Sequence, residues 1–202
     1  MRRLLPLVLA LVVLPVSAQG SDTPAEASDL QDHTTPADPD ATVPAEAAVL
    51  DALRDGRALT PAEQAVRETV LQDGVHVVHF WAPWCDNSVA ELRQGWYEVI
   101  EEEEDVSFTF VTVWNDGEAG QETLDRYAIP ERVAVLTQPD HGPSDDKALR
   151  RRRFLGLPVT WIPTTWVFRE NGELAYAFNY GELTMDQLRQ ALDGARSEWS
   201  HD

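Results

Sequence analysis

Cys85 is the only cysteine in this 202-residue chain. It lies in the run Phe80-Trp81-Ala82-Pro83-Trp84-Cys85-Asp86-Asn87-Ser88, where an apolar segment meets a tryptophan-flanked thiol and a helical pattern begins. A sulfur at a helix start faces backbone N–H groups without intrahelical partners and the positive end of the helix dipole, which favours the nucleophilic thiolate. Asp86 opposes this through like-charge repulsion. Three positions after Cys85, where a dithiol site would carry its second cysteine, the chain has Ser88. A hydroxyl there can donate a hydrogen bond to a thiolate but cannot form a disulfide. Without a second cysteine, a mixed disulfide on Cys85 persists until another thiol attacks it. Net reduction by the chain alone is therefore not expected, whereas isomerisation and exchange completed by an outside thiol remain open.

These residues need a strand to deliver the cysteine and a helix to receive it. Val75 to Trp81 reads as a buried strand. A long helix is expected from Cys85, with Val89, Leu92, Trp96, Val99 and Ile100 on one core-facing stripe and Glu101 to Glu104 as a solvated acidic end unfavourable to the dipole. Val106 to Trp114 is a second strand, rich in β-branched and aromatic residues. A helix around Ala119–Tyr127, a strand around Arg132–Thr137 and a turn-rich loop from Gln138 to Ser144 follow. Asp145 to Arg153 is expected to be helical and ends in four arginines, Arg150 to Arg153. These could contact an acidic partner or the chain's own acidic tether, or form a solvated helix face. Thr165–Phe168 and Leu174–Phe178 read as a hairpin around Asn171-Gly172, and Thr184 with Gln187 forms a capping box for a last helix to about Asp193. Earlier, a helix is expected over Ala45–Arg54, and Thr60-Pro61-Ala62-Glu63 caps another that ends near Gln72.

The start of the chain has different chemistry. Arg2 and Arg3, the apolar run Leu4–Val16 and the small residues Val16-Ser17-Ala18 resemble a signal peptide cleaved after Ala18. An uncleaved anchor is the alternative. Residues 19–44 are acidic, contain no Lys or Arg, have one large aliphatic residue (Leu30), and are expected to be a disordered acidic linker. The expected organisation is a signal peptide over 1–18, the linker over 19–44 and a folded domain over 45–202, with a periplasmic or secreted location. A formal charge of −19 argues against nucleic acid and anionic membrane surfaces as partners. With one cysteine and no ligand-spaced cluster, neither a metal nor a cofactor is expected.

The Phe80–Ser88 segment resembles the active-site segment of the thioredoxin superfamily, and Trp161-Ile162-Pro163-Thr164-Thr165 resembles that family's cis-proline segment. The piece from Asn115 to about Ser144 falls where periplasmic thiol–disulfide oxidoreductases carry an αβ insert, a subgroup that includes reductants of cytochrome c assembly. The resemblance spans about Val75 to Asp193. It implies an α/β thioredoxin-like fold, with a central mixed β-sheet flanked by helices and an αβ insert before the cis-proline segment. It implies a cis Pro163, with the backbone of Ile162 docking an extended substrate beside Cys85. Trp84 and Trp161 are then substrate-side aromatics, whereas core packing is expected for Trp166. It also places His79 where relatives often carry a buried acid beneath the active cysteine. His79 could relay a proton, stabilise the thiolate as imidazolium, or be a satisfied core histidine. His76, an odd number of residues away, is expected on the opposite face of the strand.

Two function classes follow. One is a monothiol exchange or isomerisation enzyme working through mixed disulfides at Cys85, with Ser88 and His79 in support. Its partners would be protein thiols or disulfides and a low-molecular-weight thiol. The other is a non-catalytic module that holds extended protein segments in the same groove. A dimer joined through Cys85 is a third outcome of the same lone thiol.

Overall fold

In the computed structural model, residues 58–139 and 146–197 are described. The expected signal peptide, linker and Ala45–Arg54 helix lie outside the described residues, as does most of the Gln138–Ser144 loop. The described chain opens with α1 (Pro61–Val70), started by the Thr60–Glu63 capping box with proline in its first turn. Strand β1 (His76–Trp81) follows and is buried along its whole length. Helices α2 (Asp86–Leu92) and α3 (Trp96–Glu102) lead to β2 (Ser107–Thr112). Then come α4 (Gln121–Arg126) and β3 (Ala134–Thr137). A short hairpin, β4 (Arg153–Phe154) and β5 (Leu157–Pro158), precedes β6 (Thr164–Phe168), β7 (Leu174–Asn179) and α5 (Met185–Arg196).

The main sheet has the order β3-β2-β1-β6-β7. β1, β2 and β3 are parallel neighbours, while β6 runs antiparallel to β1 and to β7. The expected αβ insert is therefore part of the sheet: its strand β3 pairs with β2 from Thr109↔Ala134 to Thr112↔Thr137 and forms one edge.

Alternation along the strands divides the core into two layers. On one face, Val77 and Trp81 of β1, Phe108 and Phe110 of β2 and Val167 of β6 pack with Trp96, Val99 and Ile100 of α3 and Leu188 and Leu192 of α5. On the other, Val78, Phe80, Val111, Trp166 and Phe168 pack against Val66 and Val70 of α1 and against Phe154 and Leu155 of the short hairpin. Edge-on contacts of Phe80 with Trp166 (4.6 Å) and Phe154 (4.9 Å) bind that hairpin to the sheet. Each such pair is worth about 0.5–1.5 kcal/mol beyond its area burial.

Two expectations fail. The long helix after Cys85 is two helices, because Gly95 takes φ 109° and starts α3 as its N-cap. That conformation is open to glycine and strained for other residues. The helix expected over Asp145–Arg153 is also absent among the described residues. Asp146 accepts a hydrogen bond from Ala148 N at 2.9 Å through its side chain and from Leu149 N at 3.1 Å through its carbonyl, closing a turn, and Leu149 is exposed. A helix with no apolar face to bury gains too little to form. The acidic end of α3 is not simply solvated either. Arg132 donates to the carbonyls of Ile100, Val106 and Glu103, and Arg189 and Arg196 reach from α5 to Glu102 and to Glu103 with Asp105.

Candidate functional site

The site forms where β1 ends. Cys85 is the N-cap of α2 (φ −88°, ψ 111°), fixed by Cys85 N donating to Ala82 O at 3.1 Å and Val89 N donating to Cys85 O at 3.0 Å. The thiol is half-buried and donates to the carbonyl of Ile162 at 3.8 Å. Ile162–Pro163 is a cis peptide bond, and both residues are buried. The fold thus brings the two segments singled out in the sequence together, although 77 positions separate Cys85 and Ile162. Trp84 is 41% exposed and its indole donates to Trp114 O at 2.8 Å, while Trp161 is 67% exposed on the other segment. Trp166 is core.

Beneath the thiol the side chains turn inward. Ser88 is fully buried, and its hydroxyl accepts from Ala82 N at 3.4 Å. Glu91, one turn further on the same face of α2, is also buried. The buried stripe of α2 therefore runs Ser88, Glu91, Leu92, while Val89, expected in it, is half-exposed. His79 is fully buried between Trp96 (4.6 Å between ring centroids) and Phe110 (4.9 Å), with Nδ1 hydrogen-bonded to Thr165 Oγ1 at 2.9 Å. Glu91 Oε1 lies 3.8 Å from the same nitrogen, beyond hydrogen-bond range. Neither Glu91 Oε1 nor His79 Nε2 has a hydrogen-bond partner among the described residues.

Burial governs the charge states of both groups. It pushes the Glu91 carboxyl up to about 8 and the His79 imidazole down to about 3. The contact has ion-pair geometry on paper. Removing two charges from water outweighs an attraction at this separation, so the pair is a neutral imidazole beside a protonated acid near neutral pH. The imidazolium role considered for His79 is thereby disfavoured, and it is Glu91 that carries the proton. Sequence reasoning missed Glu91. Its i, i+3 relation to Ser88 was the available signal, but a glutamate within Ala90-Glu91-Leu92-Arg93 reads as solvent-facing. His76 occupies the opposite face of β1, as its parity requires, with Nε2 donating to Gln72 O at 2.9 Å.

Among the described residues no His, Cys, Asp and Glu cluster is placed to hold a metal ion. No helix among them is long and apolar enough to cross a membrane.

A parallel β1–β2–β3 unit, an antiparallel β6–β7 hairpin, helices on both faces, and a thiol at the end of β1 beside a cis-proline segment define an α/β thioredoxin-like fold. No family model matches the chain, and no curated protein matches it. Solved structures similar to it include a secreted Mycobacterium tuberculosis disulfide oxidoreductase homologous to E. coli DsbE, at 22% identity and a TM-score of 0.47, covering 62% of this chain and 85% of that one. A thiol-disulfide isomerase from Corynebacterium glutamicum is similar at 16% identity and a TM-score of 0.48, covering 71% and 90% respectively. StoA from Bacillus subtilis is similar at 20% identity and a TM-score of 0.38, covering 59% and 83%.

Proposed function

We propose that this protein performs monothiol thiol–disulfide exchange through mixed disulfides at Cys85, in a periplasmic or secreted setting. The observation that carries the reading is the half-buried Cys85 thiol 3.8 Å from the backbone carbonyl of Ile162. Backbone beside a thiol is what an extended substrate needs in order to pair and present its sulfur. In the proposed cycle the Cys85 thiolate attacks a substrate disulfide, forms one S–S bond and releases the second substrate sulfur with the electron pair of the broken bond. The substrate's own thiol, or an outside thiol, then resolves the mixed disulfide by the same displacement. Ser88 holds the loop through Ala82 N and keeps a hydroxyl proton to donate. Glu91, with His79 beside it, stores a proton beneath the site. The location rests on the Arg2–Ala18 sequence alone.

The test is to purify the protein from the exported compartment under acid quench and search for mixed disulfides by mass spectrometry. Adducts that vanish in Cys85→Ser are expected. Their absence from the wild type would favour a second reading, a binding module for extended chains, which the exposed faces of Trp84 and Trp161 support.

A further inference from the structure

Trp84 stands immediately before Cys85 with much of its side chain in solvent, yet its ring is fixed. Its indole donates to Trp114 O at 2.8 Å, and the Arg150 guanidinium carbon lies over it, 5.0 Å from the ring centroid. The same guanidinium carbon is 5.0 Å from the centroid of Trp114, so Arg150 bridges the two rings by cation–π contact. Trp114 is a bulky, buried residue held at φ 56°. A left-handed backbone is strained for such a residue and persists where the surroundings over-determine it. Here they do so from both sides. Val113 N donates to Trp81 O at 3.0 Å, tying the preceding residue to the end of β1, and the Trp114 indole donates to Arg151 O at 2.8 Å. The arginine segment is anchored in turn by Glu63, fully buried on α1, which lies 3.7 Å from the Arg151 guanidinium and accepts from Leu155 N at 3.0 Å.

We infer that Trp114 is a positioning residue for exchange at Cys85: held in the left-handed region and tied to Arg150 and Arg151, it sets the Trp84 ring in one orientation beside the thiol. The inference rests on the exchange reading. An incoming substrate sulfur has to line up with the Cys85 sulfur next to the ring of the residue that precedes it. A ring free to turn would present that approach in many geometries. A ring fixed before the substrate arrives loses no freedom on binding and keeps the approach in one geometry. Trp114 therefore acts through Trp84 rather than on the sulfur itself. The arginine segment takes part mechanically, as the support against which both rings are set.

Such a role separates two reactions of the same thiol. A small alkylating reagent needs only the thiolate. A peptide disulfide needs the thiolate and a preset approach for its sulfur. Loosening Trp84 slows the second reaction and spares the first.

The test uses the full chain as wild type, Trp84→Phe, Trp114→Phe and the double variant. Phenylalanine keeps an aromatic ring at each position and removes the indole donor. Rate constants at Cys85 are measured by intact mass with iodoacetamide and with a disulfide joining two separate single-cysteine peptides. Trp114→Phe is expected to slow the peptide reaction about three- to tenfold, the weight of one lost hydrogen bond, and to leave the iodoacetamide rate within about twofold. The double variant should be no slower than Trp84→Phe alone, because residues that act as one unit are not additive. A second readout needs no substrate: the Trp84 indole proton, assigned by its absence from Trp84→Phe, should exchange with deuterated solvent faster in Trp114→Phe than in the wild type. Should Trp114→Phe not fold, Arg150→Gln, at a half-buried position, carries the same measurements. An unchanged peptide rate, an iodoacetamide rate that falls as far as the peptide rate, or a Trp114→Phe effect that adds in full to that of Trp84→Phe would overturn the positioning role and leave the exchange reading standing. A wild type that iodoacetamide modifies and the peptide disulfide does not would overturn the exchange reading and the role together.

Discussion

The rim of the site and the pocket beneath it are built on opposite principles. The rim gathers Trp84, Arg150, Trp161 and the backbone of Ile162 from separate loops, and its aromatic faces are exposed. The pocket gathers Ser88, Glu91, His79 and Thr165 from α2, β1 and β6, and all four are buried. Charge is placed at the rim, on a stacked guanidinium. Below it, burial drives both titratable groups to their neutral forms. Polar side chains on a helix face that packing would normally fill with Val89 cost stability, and a fold keeps such features where it needs their chemistry. In the proposed exchange, the rim would govern what approaches the sulfur and the pocket would govern the proton that accompanies it.

The largest expected effect tests what the pocket withholds. Ser88→Cys should create disulfide reductase activity where the wild type is expected to show none, measured by insulin reduction with dithiothreitol as electron source. Continued inactivity would mean that the loop does not let a second thiol at position 88 reach the sulfur of Cys85.

Next comes the pH dependence of stability. The Glu91 carboxyl is raised from 4.5 to about 8 by burial, so the folded state holds this proton while the unfolded state releases it. Stability falls as pH rises through that window and levels off above it. The His79 imidazole is lowered from 6.5 to about 3, so its contribution rises with pH over that interval and opposes the first where the two overlap. Glu91→Gln removes the fall. Its stability relative to wild type should increase across the Glu91 window by on the order of 2–4 kcal/mol, read from urea unfolding at several pH values. A pH-independent difference would show that Glu91 is ionised in the fold.

Smaller effects separate the two regions. Thr165→Val removes the hydroxyl bonded to His79 Nδ1 and should cost about 1–3 kcal/mol by the same assay. Gly120→Ala probes the support of the rim. Gly120 has φ 69°, and a Cβ there would sit 3.0 Å from Trp81 and 3.2 Å from Pro83. A cost of about 1–2 kcal/mol from the backbone alone is expected in thermal or urea unfolding.

What could be read in advance follows the same division. Both capping boxes, the buried strand before Cys85 and the Asn171-Gly172 hairpin were legible because each signal is local, held within a few residues. The meeting of Cys85 with Ile162 was legible only through family resemblance. The break at Gly95 was not, because the apolar stripe continues across it and only the backbone angle reveals the restart. Arg150 reads in the sequence only as charge, since the rings it meets, Trp84 and Trp114, lie far away in sequence. Glu91 escaped because whether a helical glutamate is buried is decided by packing rather than by its neighbours in the chain.

The central claim is that Cys85 begins thiol exchange and another thiol ends it. Its most direct measurement is single-turnover mass spectrometry of the full chain with a disulfide joining two separate single-cysteine peptides, so that no tethered thiol resolves the adduct. The account predicts one peptide adduct on wild type, stable until a small thiol is added and then lost, with no adduct on Cys85→Ser. A wild-type protein that remains unmodified, or an adduct that no added thiol removes, would contradict it.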